Sequence, residues 1–356
     1  MAMANYKEDL EILIDTVVKE GASDLHLTAF RKPTLRVFSN LIPLVKHEAL
    51  KPEDTEGILK ELVSHENFER FKQDRELDFA FSRGDHVRFR CNAFYQRGVI
   101  GVAMRLIATS IQSVQELNLP PILSDIARRE QGLFLVVGPV GQGKSTTLAA
   151  MVNQINQERA EHIVTIEDPI EYLYPEGQSI VDQREVRYDT DDFHTALQSM
   201  FRQDVNVALI GEMRGQETMS TTVTAAETGH LIFSTLHTNN AAQTIDRIID
   251  SFPANQQTQI RVQLAGSLIG IFSQRLVARI SGGLIPAYEL LLNNKAVANL
   301  IREGKTHEID IVLETGAGEG MIDLNHSLAD LVRRGEITSE NASQFSLNPA
   351  GLGRLI

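Results

Sequence analysis

The stretch from Leu133 to Thr147 constrains this chain more than any other. An apolar run of strand length enters a glycine-rich turn, and helix-forming residues follow from Ser145 to about Glu158. Gly138, with Gly143, Lys144 and Ser145, fits the spacing G-x-x-x-x-G-K-[ST] of a phosphate-binding loop. Glycines let the backbone turn tightly enough for several N–H groups to converge on a polyphosphate. The helix that starts there adds its positive dipole end to the same anion. Lys144 is the expected cation for the β/γ oxygens, and the Ser145 hydroxyl the expected Mg²⁺ ligand. The candidate nucleotide contacts are thus Gly138, Pro139, Val140, Gly141, Gln142, Gly143, Lys144, Ser145 and Thr146. The chain is read as a nucleotide-binding protein whose ligand carries Mg²⁺.

Composition narrows the setting. Net charge is −13, from 34 basic and 47 acidic residues, which leans against a broad nucleic-acid surface; no nucleic-acid partner is expected. Cys91 is the single cysteine, so an intramolecular disulfide and a paired-cysteine zinc site are both excluded, and a free thiol suits the cytoplasm. The first residues lack the apolar core of a signal peptide, and no run reaches bilayer-spanning length. Any membrane role is expected to come through partners.

In chain order, residues 5–20 carry Leu10, Leu13, Ile14, Val17 and Val18 at helical spacing, and residues 23–27 alternate like a strand. Two short strands are expected over 35–43, a helix over 52–74, and strands over 77–81, 87–95 and 99–107. These make a small α+β domain over 1–108. Residues 109–121, ending in Pro120-Pro121, read as a linker. Beyond it, over 122–356, helices and strands alternate. Strands at 162–166, 205–210 and 231–235, with helices at 193–201 and 218–228, imply βαβ crossovers and a mostly parallel sheet. Segments 260–276, 296–303 and 328–334 read as helices of a C-terminal portion.

Ligands of parallel sheets gather at the carboxyl ends of the strands. Glu167, Asp168 and Glu171 follow one strand, Glu212 another, and His237 a third. Glu212 after its apolar strand has the form of a Walker B acid, which orients water or supports Mg²⁺. The acids around Pro169 also suit a helix N-terminus. His230 and His237 flank one strand; without a third ligand they make a poor metal site, and contact with a terminal phosphate fits them better. Arg88 and Arg90, two apart on a strand, share a face, with Arg97 and Arg105 nearby in sequence.

Taken in order, these motifs resemble the secretion/pilus ATPase superfamily and, within it, the type IV pilus retraction (twitching motility) ATPases. The resemblance runs from about residue 12 to 338. It is carried by Ser23 to Leu27, Arg88 to Gly98, the phosphate loop, the "Asp box" Thr165 to Glu171, Gly211 to Arg214, the "His box" Ala225 to Asn239, and Ser273 to Leu276. Residues 298–307 look like a segment typical of retraction motors. Assembly and secretion relatives usually carry a zinc insert that one cysteine cannot supply. The resemblance implies a RecA-like motor domain with a smaller PAS-like N-terminal domain and a helical C-terminal portion. It also implies a homohexamer that works with an inner-membrane platform protein at the cytoplasmic face of the membrane. ATP would sit between the two domains, and its hydrolysis would turn domain rotation into retraction. On this reading Glu212 and Glu171 position and deprotonate water, and His230 senses the γ-phosphate. Arg88, Arg90, Arg97 and Arg105 supply arginines that neutralise transition-state charge. Glu167, Asp168 and His237 line the nucleotide.

Three departures from the family pattern stand out. Asp204-Val205-Asn206 replaces Asp-Pro-Asp, Gly215 stands where an acid follows Met213-Arg214, and Gln142 occupies a loop position where Ser is usual. The first two are read as lying beside the active site and bearing on hydrolysis rate more than on binding. The alternatives are an accessory retraction motor, a secretion ATPase, or a nucleotide-binding regulatory ring of low turnover.

Overall fold

The computed structural model describes residues 5–37, 40–84, 87–107 and 110–356. Residues 38–39 within the strand pair expected over 35–43, the end of the first domain at 108 and the linker's first residue, Thr109, lie outside them. By contacts the chain divides into two compact units: residues 1–110 with 171–173, and residues 111–170 with 174–356.

The first unit opens with α1 (Tyr6–Lys19), β1 (Asp24–Thr28), β2 (Thr34–Val37), β3 (Asn40–Pro43), α2 (Pro52–Leu62) and α3 (His65–Asp74). Strands β4 (Glu76–Arg83), β5 (Val87–Gln96) and β6 (Val99–Leu106) complete it. They form a six-stranded antiparallel sheet in the order β3-β2-β1-β6-β5-β4. Leu10, Leu13, Ile14 and Val17 of α1 bury into a core with Ile58, Leu59, Phe71, Phe89 and Met104. The single helix expected over 52–74 is two helices. Val63 takes an extended conformation, and the hydroxyl of Ser64 accepts from Asn67 N–H as the cap of a new helix.

The second unit holds α4 (Ile122–Ala127), β7 (Gly132–Val137), α5 (Lys144–Glu158), β8 (His162–Glu167), β9 (Ile180–Glu185), α6 (Phe193–Met200) and β10 (Val207–Ile210). Then come α7 (Gly215–Glu227), β11 (Leu231–Leu236), α8 (Ala241–Ile249), α9 (Ala254–Ser267), β12 (Leu268–Ala278) and β13 (Leu284–Leu292). Helices α10 (Lys295–Glu303), α11 (Ile309–Thr315), α12 (Leu324–Arg333), α13 (Ser339–Phe345) and α14 (Pro349–Leu352) close the chain. The seven-stranded sheet runs β13-β12-β7-β11-β10-β8-β9, parallel throughout except for β13. Strands β7, β10 and β11 are buried at every residue, as a sheet covered on both faces requires. Residues 111–121 belong to this unit, with Val114 and Leu119 in its core.

One expectation fails here. The segment 260–276, read as one helix, is helical only to Ser267 and continues as the buried strand β12. Nearly all the strand's residues are buried, on both faces, so no strand alternation marks it. Gly270 permits the pairing with β13, since a Cβ there would meet Leu291 O at 2.5 Å. The helical C-terminal portion therefore begins at Lys295 rather than in that segment. It is fastened back to the end of β12 by Ile280 N–H donating to Glu336 O at 2.9 Å and by a 2.6 Å Arg279–Glu336 ion pair.

Candidate nucleotide site

The phosphate loop joins the carboxyl end of central strand β7 to α5. Gly138, Gly141 and Gly143 have φ of 145°, 77° and 77°, the region that favours glycine. At Gly138 space is limiting as well, because a Cβ would meet Gln274 O at 2.6 Å. Gly143 caps α5, so the first turn of the helix, Lys144 to Thr146, begins at the loop. Ser145 and Thr146 are half-buried there, and Val140 at the loop's tip is exposed.

Lys144 is buried, its Nζ donating to Gly138 O and Pro139 O at 2.9 Å each. The same ammonium lies 3.2 Å from His237 Nδ1. Because a lysine can only donate, His237 Nδ1 accepts and Nε2 carries the hydrogen. That nitrogen faces Glu212 Oε2 at 3.7 Å, and Glu212 Oε1 pairs with Arg214 Nε at 2.7 Å. Burial holds the His237 imidazole below its usual range, Lys144 adds to the effect, and Glu212 opposes it. The ring is thereby kept neutral, as an acceptor for Lys144 requires.

The backbone fixes these groups. Gly211 N–H bonds Ile166 O at 2.8 Å, and Thr235 Oγ1 donates to Gly211 O at 2.6 Å, holding Glu212 between β8 and β11. Glu167, at the end of β8, is buried and accepts from Thr165 Oγ1 at 2.7 Å. Asp168 lies 3.7 Å from Arg187 Nη2. Glu171 is exposed and belongs, with 172 and 173, to the first unit.

His230 stands apart from the loop of its own chain. It precedes β11, its carbonyl accepting from Gly132 N–H, and it packs edge-on against Phe201. The phosphate loop lies at the other end of that parallel strand pair, about 20 Å away at 3.3 Å per residue. The structure does not bring His230 to the loop of its own chain. Asp204-Val205-Asn206 is likewise at the amino end of β10, not beside the active site. There Val205 is buried in the core, and Asn206 Oδ1 accepts from His162 N–H at 2.9 Å. Gly215, by contrast, starts α7 next to Glu212 with a φ of 76°.

The four arginines belong to the first unit. Arg88 donates to Ser82 Oγ at 3.3 Å. Arg90 stands opposite Arg105 in the β5–β6 register. Arg97 sits in the hairpin between those strands with a φ of 49°. Arg105 donates to Asp24 at 2.9 Å, and Arg36 approaches the same carboxylate at 3.8 Å. Burial pushes the Asp24 carboxyl up, but hydrogen bonds from Ser23 and Arg105 outweigh it and hold the group below its usual range.

The residues present fit a magnesium-bound polyphosphate. The loop supplies N–H donors, a buried ammonium and a hydroxyl at the start of α5. Mg²⁺ takes few protein ligands alongside phosphate oxygens and water. Among the described residues no group of three or more His, Cys, Asp or Glu is placed to hold a metal ion.

A phosphate loop on a parallel sheet, with an acid and a histidine at the carboxyl ends of neighbouring strands, defines a P-loop nucleotide-binding domain. The sequence matches the family described as Type II/IV secretion system protein over residues 3–310, and the chain belongs to that family. It is 40% identical over 341 residues to the type IV pilus retractation ATPase PilT of Pseudomonas aeruginosa, covering 96% of this chain and 99% of that protein. To the type IV pilus ATPase PilU of the same organism it is 41% identical over 335 residues, covering 94% of this chain and 87% of that one. A crystal structure of the pilus retraction motor PilT with bound ADP superposes with a TM-score of 0.90 at 44% identity, covering 97% and 98% of the two chains.

Proposed function

We propose that this chain is a Mg²⁺-dependent ATP hydrolase that powers type IV pilus retraction, acting as a homohexamer with a platform protein at the cytoplasmic face of the inner membrane. The observation that carries the reading is the meeting of Lys144, His237 and Glu212 at the carboxyl ends of β7, β11 and β10. Relatives named for pilus retraction match nearly the whole chain, and one of their structures holds ADP. Among the described residues no helix is long and apolar enough to cross a membrane, which suits a motor recruited by partners.

In this reading the loop amides and Lys144 bind the β and γ phosphates of substrate ATP. The Ser145 hydroxyl would hold Mg²⁺, which would supply neutralising charge when bound. Glu212 orients the attacking water and accepts its proton, with Glu171 as the second carboxylate. Neutral His237 keeps Lys144 and Glu212 in register, while Glu167 and Asp168 line the nucleotide. Arg88, Arg90, Arg97 and Arg105 are the candidates for the charge-neutralising role, since phosphoryl transfer gains most from placed positive charge. The PAS-like domain is 1–108 and the motor 122–356, with 109–121 leading between them and its residues 111–121 packed as part of the motor unit.

The test is steady-state ATP hydrolysis by wild type and Glu212→Gln, with ADP binding measured in parallel. Wild type turns over with Mg²⁺, and the variant binds ADP while losing about a hundredfold or more in rate. Equal turnover in both overturns the assignment of Glu212. Negligible turnover in both favours the low-turnover ring, for which Gly215, in place of an acid beside Glu212, is the supporting observation. Deletion of the gene is expected to leave pili that extend and fail to withdraw.

A further inference from the structure

Strand β12 touches both halves of the nucleotide site, one with each face. Successive strand residues point to opposite sides of a sheet. On the α5 side, the buried Gln274 donates through Nε2 to Gln142 O at 2.7 Å and accepts from Thr147 Oγ1 at 2.7 Å. Two residues on, Leu276 N–H donates to the side-chain Oε1 of Gln142 at 2.7 Å. Gln142 and β12 thus clasp each other reciprocally, and the first turn of α5 is tied to the same strand.

On the opposite side, Ser273 Oγ donates to Asn239 O at 2.8 Å. Buried Arg275 donates through Nη2 to the same oxygen at 2.9 Å and to Asn239 Oδ1 at 3.3 Å. Asn239 is two residues past His237. Arg275 Nη1 also donates to Gln274 O at 2.9 Å, so the two grips share one peptide.

We infer that β12 is the spacer that sets the phosphate loop against the His237 segment, with Gln274 a positioning residue for nucleotide and Arg275 a positioning residue for hydrolysis. Gln274 acts through Thr147 and the loop backbone; Arg275 acts through Asn239 and thus His237. Gln142 is long enough to reach Leu276 N–H, which gives this loop a second tether to the strand. The inference rests on the ATPase reading above.

The two faces separate in kinetics. In the full-length protein, Gln274→Met keeps side-chain volume and removes both bonds, so KM for ATP rises about tenfold with kcat within about twofold. Arg275→Met does the reverse, lowering kcat about tenfold with KM within about twofold. A purely structural role lowers thermal stability in both variants and splits neither constant. Should either variant fail to fold, Gln142→Ser replaces the first and Ser273→Ala the second, each with an expected effect of about threefold on the same constant. The inference is overturned if the folded variants match wild type or if both faces move the same constant. Absence of turnover in wild type, by contrast, counts against the function and not against the clasp, whose effect is then read as weaker binding of a fluorescent ADP derivative by the Gln274→Met or Gln142→Ser protein.

Discussion

Glu289 on β13 offers the sharpest stability prediction. Its side chain is 6% exposed, and its Oε1 accepts from Ala241 N–H at 2.7 Å, at the start of α8. Burial pushes the carboxyl up to about 7 from 4.5; Asp310 and Asp323 add to the rise, while the Ala241 bond and Arg275 oppose it. The folded state thus holds a proton that the unfolded chain releases at lower pH, so this group's contribution to stability is fully present below pH 4.5 and is lost as pH rises toward 7. At about 1.4 kcal/mol for each decade of pH, the loss across that window is about 3 kcal/mol. Glu289→Gln keeps an oxygen for Ala241 and removes the titration. Urea unfolding of nucleotide-free protein is expected to show the variant level with wild type near pH 4.5 and about 3 kcal/mol more stable above pH 7. A constant difference between the two proteins across that range refutes the reasoning.

Further outcomes follow from the site. Because burial holds the His237 imidazole below its usual range, hydrolysis is expected to fall as pH drops through that lowered value, when protonation removes the acceptor facing Lys144. His237→Gln should flatten that acid limb in a pH–rate profile. Lys144→Ala is expected to weaken ADP binding at least about tenfold by titration calorimetry, through loss of a charge-assisted contact to phosphate. His230→Ala should leave ATP turnover within about twofold of wild type, because that ring packs on Phe201 at the far end of β11.

What could be read from the sequence is what is local. The phosphate loop announces itself because its glycines, lysine and serine act within nine residues, and β7, β8, β10 and β11 are apolar runs bounded by turns. The amphipathic stripe of α1 is equally plain. Strand β9 went unseen because its residues, Ile180 to Glu185, are largely polar at a sheet edge. Strand β12 was hidden because burial on both faces erases the alternation that separates strand from helix. His230 precedes its strand, away from the carboxyl end where ligands of its own chain gather. Gln142 and the segment Ser273 to Leu276 stood out in sequence, but their mutual contacts did not, since the partners lie 36 to 134 residues away.

The fastening of Glu336 to Arg279 and Ile280 has a mechanical meaning. It lies one short step beyond the end of β12, and β-structure is stiff along its length. Tension applied to the chain's last helices would therefore be delivered at the tip of a rigid rod whose shaft grips the phosphate cradle. Load on the tail and occupancy of the cradle would then be felt at opposite ends of a single member.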